Sequence, residues 1–161
     1  MNELTQAAGT SAAYIIAWVG IFLMVALAGI GSAIGTVIGG SASVAAMKKR
    51  DDIFANCMIL SALPGTQGLY GFGAFFILQK IAVDPNLTMM QAAALLGAGL
   101  IMGIVGLISA IQQAKIVANG IESLGSGNDV FTKTLILGVF PELYAIIAFA
   151  TSFLISGLIA G

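Results

Sequence analysis

Glu142 is the one acidic residue in an apolar stretch that runs from Val130 to Gly161. A charged side chain near the centre of a membrane-spanning helix costs roughly 2.5–3.5 kcal/mol on insertion scales, and such residues commonly bind or relay ions. We therefore predict that this carboxylate binds a moving cation inside a membrane. A cation stripped of its water also needs neutral oxygens, which other segments of the chain must supply.

A second group of polar residues lies in the stretch Leu63-Pro64-Gly65-Thr66-Gln67-Gly68-Leu69-Tyr70. Spacings of three, four and seven residues place four of them on one helix face: Leu63, Thr66, Gln67 and Tyr70. A hydroxyl and an amide on this face are typical of cation ligands, and Pro64 distorts the helix and loosens backbone oxygens nearby. We expect the Tyr70 phenol to hydrogen-bond to Glu142 rather than to contact the ion.

A third source of oxygen is the adjacent pair Gln112 and Gln113. Neighbouring residues point about 100° apart on a helix, so only one of the two is expected to face the site, and the spacing leaves open which one. One carboxylate with several neutral oxygens suits Na⁺, whereas a proton would need only the carboxylate. We predict Na⁺ as the transported ion, with H⁺ as the alternative, and no organic cofactor.

The composition predicts the class of protein that positions these groups. Hydrophobic residues make up 59% of the chain and charged residues 8%, against about 25% charged residues in soluble domains. Charge is absent from residues 4–47, 53–79 and 85–114, and each run exceeds the ~20 residues that cross a bilayer as a helix. We expect an all-α membrane protein with lipid around it and four transmembrane helices, at about 11–47, 54–82, 88–124 and 130–160.

Several other functions are excluded by absent residues. The chain has no histidine, which excludes imidazole ligation of zinc or haem. No Gly-Lys dipeptide occurs, so a phosphate-binding loop of the P-loop type is absent. The net charge of −1 and the lack of a basic patch argue against nucleic acid as a partner.

The chain matches itself without gaps when it is shifted by 77 residues. Ser32-Ala33-Ile34 then falls on Ser109-Ala110-Ile111, and Pro64 falls on Pro141. Each copy is predicted to cross the membrane twice, so the two copies point the same way, as a parallel repeat. We therefore predict two helical hairpins, residues 1–84 and 85–161. Gly65 stands opposite Glu142, so only the second hairpin carries the carboxylate.

Small residues follow one another at helical spacing on the first and third predicted helices. They let helix backbones approach closely in lipid, and the set is Gly29, Gly31, Gly35, Gly39, Gly99, Gly103, Gly106 and Ala110. Two such stripes offer more close-packing surface than one bundle needs. This favours assembly of several copies over packing within one chain.

Basic residues predict the orientation. Lys48, Lys49 and Arg50 lie in the first loop, and Lys115 and Lys133 lie near the third. By the positive-inside rule these two loops are cytoplasmic and both termini lie outside the cell membrane, and the chain starts without the basic segment of a signal peptide. Counted from the cytoplasmic loops, Gln113, Glu142 and the Thr66-Gln67 pair all lie about a dozen residues deep, within roughly one helical turn.

The chain resembles the proteolipid (K or c) subunits of V-type rotary ATPases, and most closely their sodium-coupled bacterial branch. The resemblance covers nearly all 161 residues and is carried by three segments: Leu63 to Gly71, Ile111 to Lys115, and Glu142 with Tyr144-Ala145-Ile146. It implies that Na⁺ is bound by the Leu63 carbonyl, by the side chains of Thr66, Gln67 and Gln113, and by Glu142, with Tyr70 bonded to Glu142.

The resemblance also implies a non-catalytic subunit that forms a homo-oligomeric rotor ring. Its partners would be a stator subunit with a membrane arginine and the central-stalk subunits of the ATPase. Leu143 and Pro141, which flank the glutamate, depart modestly from the pattern of that branch. Alternatives are a proton-coupled rotor, a free-standing four-helix transporter or channel, and a purely structural assembly protein.

Overall fold

The charge-free runs form long helices. The computed structural model describes the backbone of residues 3–159 and the side chains of residues 11–159. Its helices are α1 (Glu3–Met47), α2 (Phe54–Ala62), α3 (Thr66–Ala82), α4 (Met89–Gly125) and α5 (Phe131–Ile159), with short 3₁₀ turns at Asp51–Ile53 and Leu63–Gly65. α1 begins well before the predicted residue 11, and the predicted end of the fourth helix at residue 160 lies outside the described residues.

Three helices of the described range are long and apolar enough to cross a membrane. They are Ser11–Met47 within α1, α4 and α5, with mean hydropathies of 2.4, 2.3 and 1.8. The remaining predicted span, 54–82, is not one helix, because the 3₁₀ turn at Leu63–Gly65 divides it into α2 and α3. Pro64 accounts for this division, since it has no N–H to donate to the carbonyl four residues earlier.

The helices form two layers, with α1 and α4 packed along each other and with α2, α3 and α5 on one side of that pair. At one end of the bundle, the Tyr14 hydroxyl donates to the Asp84 carbonyl at 2.6 Å, which fastens α1 to the turn between α3 and α4. At the same end, Gln91 Nε2 donates to the Ile159 carbonyl at 2.8 Å. The start of α4 therefore lies beside the end of α5.

The opposite end joins the first and third loops. Arg50 Nη1 donates to the Leu124 carbonyl at 3.4 Å, and the same guanidinium pairs with the exposed Asp52 carboxylate. The hydrogen bond from Arg50 to Asp52 holds the pKa of the Asp52 carboxyl below its ordinary value. The two loops thus lie at one end of the molecule, as two hairpins of the same direction require.

The small residues of α1 and α4 mostly face each other within the chain. A Cβ on Gly99 would overlap the backbone of Gly20, and a Cβ on Gly31 would lie 2.6 Å from the Leu107 Cα. Gly103 and Gly106 likewise lie against α1. Gly35 lies against Pro64 and the Ala110 carbonyl, Gly39 lies against Ser61 of α2, and Ala110 is fully buried. The close packing of these residues is thus formed within the single chain and does not by itself require a second copy. Gly29 differs, because a Cβ there would meet nothing within 4 Å.

Two hydrophobic clusters make up the core. One gathers residues such as Met24, Leu78 and Leu95 towards the end that holds Asp84. The other gathers residues such as Leu60 and Ile121 towards the loop that holds Arg50. Buried polar side chains separate the two clusters: Ser32, Gln67, Ser109, Gln113 and Glu142.

Candidate functional site

The Glu142 carboxylate lies in α5 within this polar layer, with 9% of its surface exposed. The Tyr70 hydroxyl, from α3, donates to its Oε1 at 2.8 Å. Gln113 Nε2, from α4, donates to its Oε2 at 3.0 Å. Hydrogen bonds to an ionised acceptor are about twice as strong as neutral ones. Two helices therefore hold the carboxylate of the third.

Gln113 connects the carboxylate to α3. Its side chain is fully buried, and its Nε2 also donates to the Gly138 carbonyl at 2.9 Å. Its Oε1 accepts a hydrogen bond from Gln67 Nε2 at 2.8 Å. The structure therefore places Gln113 at the site, whereas Gln112 is exposed on another side of α4.

The helix break brings three oxygens together. Thr66 Oγ1 donates to the Leu63 carbonyl at 3.0 Å and lies 3.4 Å from Gln67 Oε1. The Leu63 carbonyl also accepts the Thr66 N–H across the 3₁₀ turn. Gln67, which bonds Gln113, connects these oxygens to α4.

Aromatic packing fixes the position of Tyr70. Its ring lies against Phe149 of α5, with ring centroids 6.0 Å apart. Gly73, one turn further along α3, leaves room for the Phe149 ring, since a Cβ on Gly73 would lie 3.0 Å from Phe149 Cε2. The phenol ring is therefore packed against Phe149, and its hydroxyl bonds Glu142.

Hydrogen bonds thus connect all the predicted site residues: Leu63 of the 3₁₀ turn, Thr66, Gln67 and Tyr70 of α3, Gln113 of α4 and Glu142 of α5. Two further groups that bond in this region were not predicted from the sequence. One is the Gly138 carbonyl, and the other is Ser32, whose Oγ accepts a hydrogen bond from the Gly68 N–H at 2.8 Å. The sequence shows that Ser32 is repeated at Ser109. It does not show which group a serine among small residues bonds.

This layer combines one carboxylate with neutral hydroxyl, amide and carbonyl groups. Within residues 11–159, every buried side-chain nitrogen or oxygen has a hydrogen-bond partner, so the layer is stable between two apolar clusters. An ordered set of carbonyl, hydroxyl, amide and carboxylate oxygens can replace the hydration of a hard cation. The lone Cys57 is buried elsewhere and takes no part.

Comparison with known proteins supports the internal repeat and the family resemblance. The family model for the C subunit of ATP synthase matches the chain twice, at residues 19–78 and again, 77 residues further on, at 96–155. The V-type sodium ATPase subunit K of Enterococcus hirae is 39% identical over 127 residues, which cover 79% of this chain and 81% of that protein.

An archaeal protein is related in the same way. The A-type ATP synthase subunit K of Methanocaldococcus jannaschii is 35% identical over 132 residues, which cover 82% of this chain and 57% of that protein. These matches confirm the resemblance that the helix-break segment and the segment around Glu142 indicated. The chain belongs to the family of ATP synthase C subunits, as a c-type proteolipid of V/A-type ATPases, which is a non-catalytic, ion-translocating subunit.

Proposed function

We propose that this chain is a sodium-carrying rotor subunit in which Glu142 binds the ion that moves. The observation that carries the proposal is the convergence of α3, α4 and α5 on one buried carboxylate. The name of the Enterococcus hirae relative, a sodium ATPase subunit, supports Na⁺ as the ion. The Leu63 carbonyl, Thr66 Oγ1 and Gln67 Oε1 supply the neutral ligands.

Gln113 already offers its oxygen towards α3. Its Nε2 donates to Glu142 and to the Gly138 carbonyl, and its Oε1 accepts from Gln67 Nε2. A half-turn of this amide would set its nitrogen against Gln67 Nε2 and its oxygen against the Gly138 carbonyl. An amide oxygen has two lone pairs, so we assign Gln113 Oε1 as a sodium ligand in its present orientation.

The repeat supports assembly into a ring. Gly20 lies against the backbone of Leu95 and Leu96, but its repeat counterpart Gly97 would meet nothing within 4 Å if it carried a Cβ. Further along α4, an apolar groove of about 630 Å³ opens between α4 and α5, lined by Ile104, Ile108, Leu137, Phe140 and Tyr144 among others. We assign this face to the first hairpin of a second copy, since the first hairpin already packs on the second within the chain.

The proposed cycle places the ring in the cell membrane, with the first and third loops in the cytoplasm. The hairpins are residues 1–84 and 85–161. A stator arginine displaces the ion from Glu142, and the central stalk couples rotation of the ring to ATP hydrolysis in other subunits. The stator exchanges ions at half-channels, and the ion stays bound while the site faces lipid.

The test is carbodiimide labelling of the purified protein in mild detergent. Hydrophobic carbodiimides attack a protonated carboxyl, so a bound cation that keeps Glu142 ionised prevents the reaction. We expect sodium chloride to block labelling, with more sodium needed as the pH falls, because protons compete for the same oxygens. Potassium chloride at equal concentration controls for ionic strength, and Glu142→Gln identifies the labelled residue.

The outcome separates the two ions. Labelling that follows pH but ignores sodium would show that the chain is a proton rotor and that the polar face of α3 only packs helices. Labelling that neither sodium nor pH alters would remove Glu142 from ion transport altogether.

A further inference from the structure

The start of α3 lacks a cap of its own. The first N–H groups of a helix have no partner within the helix, and a side chain at the N-cap usually accepts one of them. Here the N-cap is Gly65, which has no side chain and makes no such bond. Pro64 interrupts the α-helix between α2 and α3, so α2 does not continue into α3 as one regular helix.

Ser32 of α1 supplies the missing acceptor. Its Oγ accepts the hydrogen bond of the Gly68 N–H at 2.8 Å, and Gly68 is the third residue of α3. That is the amide an N-cap side chain would normally bind. Gly68 lets the serine approach, since a Cβ there would lie 3.2 Å from Ser32 Oγ. The helix is therefore capped from its neighbour.

The repeat shows that this contact belongs to the break. Ser109 occupies the same place in the second hairpin and is as buried as Ser32, with 6% and 8% exposed. Its Oγ bonds only the Gly106 carbonyl of its own helix, at 3.5 Å. The helix beside it, α5, runs through Pro141 without a break. Among the described contacts, a serine caps the helix that begins after the break, α3, whereas the equivalent serine makes no such bond to the unbroken α5.

We propose that Ser32 is a positioning residue for the cation site. The inference rests on the proposed function, in which Thr66 and Gln67 are ligands. These two residues are the first two of α3 and directly precede the amide that Ser32 holds. Ser32 thereby fixes the rotation and height of the first turn against α1, and with them the places of Thr66 Oγ1 and Gln67 Oε1. It does not touch the ion.

The experiment compares three variants of the assembled protein in detergent. The variants are Ser32→Ala, Ser32→Thr and Ser109→Ala. For each, we measure the sodium concentration that halves carbodiimide labelling of Glu142, the pH midpoint of labelling in potassium chloride, and the mass of the assembly. Ser32→Thr keeps the accepting oxygen, and Ser109→Ala removes an equally buried hydroxyl that takes no part in capping.

We expect Ser32→Ala to raise the half-protecting sodium concentration about fivefold, the factor that loss of a typical helix cap corresponds to. Ser32→Thr and Ser109→Ala should change it less than about twofold. The pH midpoint without sodium and the assembly mass should stay at the wild-type values, because Tyr70 and Gln113 still hold the carboxylate. A serine with only a general structural role would shift these two readouts as well.

Three results would overturn the inference alone: unchanged sodium protection in Ser32→Ala, an equal loss in Ser109→Ala, or a sodium effect accompanied by a shifted pH midpoint or a lost assembly. Wild-type labelling that ignores sodium would overturn the proposed sodium site, and this inference with it. The wild-type control therefore distinguishes the two failures.

Discussion

Each oxygen of the Glu142 carboxylate accepts a hydrogen bond from a different helix. The carboxylate is thus both the charge of the site and the point where α3 and α4 meet α5. A substitution there can remove the charge while it keeps most of the shape. Glutamine does this, since it retains one oxygen that can accept from Tyr70.

We expect Glu142→Gln to abolish ion transport and carbodiimide labelling while the assembly stays intact. The measurement is sodium uptake by the complex reconstituted in vesicles, together with the mass of the purified assembly. Glu122→Gln, at the exposed end of α4, is the matched control and should transport as the wild type does. Coupled transport by the Glu142→Gln complex would show that another group carries the ion.

Tyr70→Phe isolates one hydrogen bond. A bond to a charged group contributes about 1.5 kcal/mol or more, so its loss should raise the half-protecting sodium concentration roughly tenfold. Phenylalanine keeps the packing against Phe149. Tyr14→Phe serves as the control, because it also removes one tyrosine hydrogen bond, but at the end of the bundle that holds Asp84. Equal sodium requirements for both variants would leave the Tyr70 hydroxyl without a role at the site.

Residue types and spacing predicted which side chains lie together and predicted the Tyr70–Glu142 hydrogen bond, but not the other bonds among them. The cost of a carboxylate in an apolar helix singled out Glu142, and the face of α3 singled out Thr66 and Gln67. Nothing in the residue pattern distinguished Gln113 from Gln112, because the rotation of α4 depends on how it packs against α1. The family resemblance made that choice, and the structure places Gln113 beside the carboxylate.

The helices show the same limit at the next scale. Pro64 and Pro141 occupy equivalent places in the repeat, yet the chain breaks at Pro64 and continues as a helix through Pro141. Glycine follows the first proline and glutamate the second, and glycine is the poorer helix former by up to about 1 kcal/mol. The break also has Ser32 as a partner in α1, a contact between helices that composition and hydropathy do not report.

Close packing of α1 on α4 gives an element-scale prediction. Gly99→Ala should destabilise the protein by about 1–3 kcal/mol, because the added Cβ would strike the Gly20 backbone, which has no rotamer to change. The apparent Tm in detergent should fall by several degrees. Gly157→Ala is the control, since nothing lies within 4 Å of its Cβ position. A Tm that Gly99→Ala leaves unchanged would mean that the two helices can separate at little cost.

For the whole molecule, we expect native mass spectrometry to show one closed assembly at a high multiple of 16.3 kDa. Gly97→Leu should reduce this species in favour of single chains, because it fills the open face that the repeat assigns to a second copy. Gly157→Leu, which also adds a side chain in open space, should leave the assembly intact. A monomer or dimer as the main wild-type species would contradict the ring.

The turn between Ala82 and Met89 joins two hairpins in every chain. A ring closed from this chain therefore contains an even number of hairpins, whatever the angle between copies, and odd numbers are inaccessible to it. Because Gly65 stands where the second hairpin has Glu142, neighbouring carboxylates lie two hairpins apart. In the proposed rotor, one residue in one half of a duplicated chain thereby halves the number of ions carried in each revolution at an unchanged ring size.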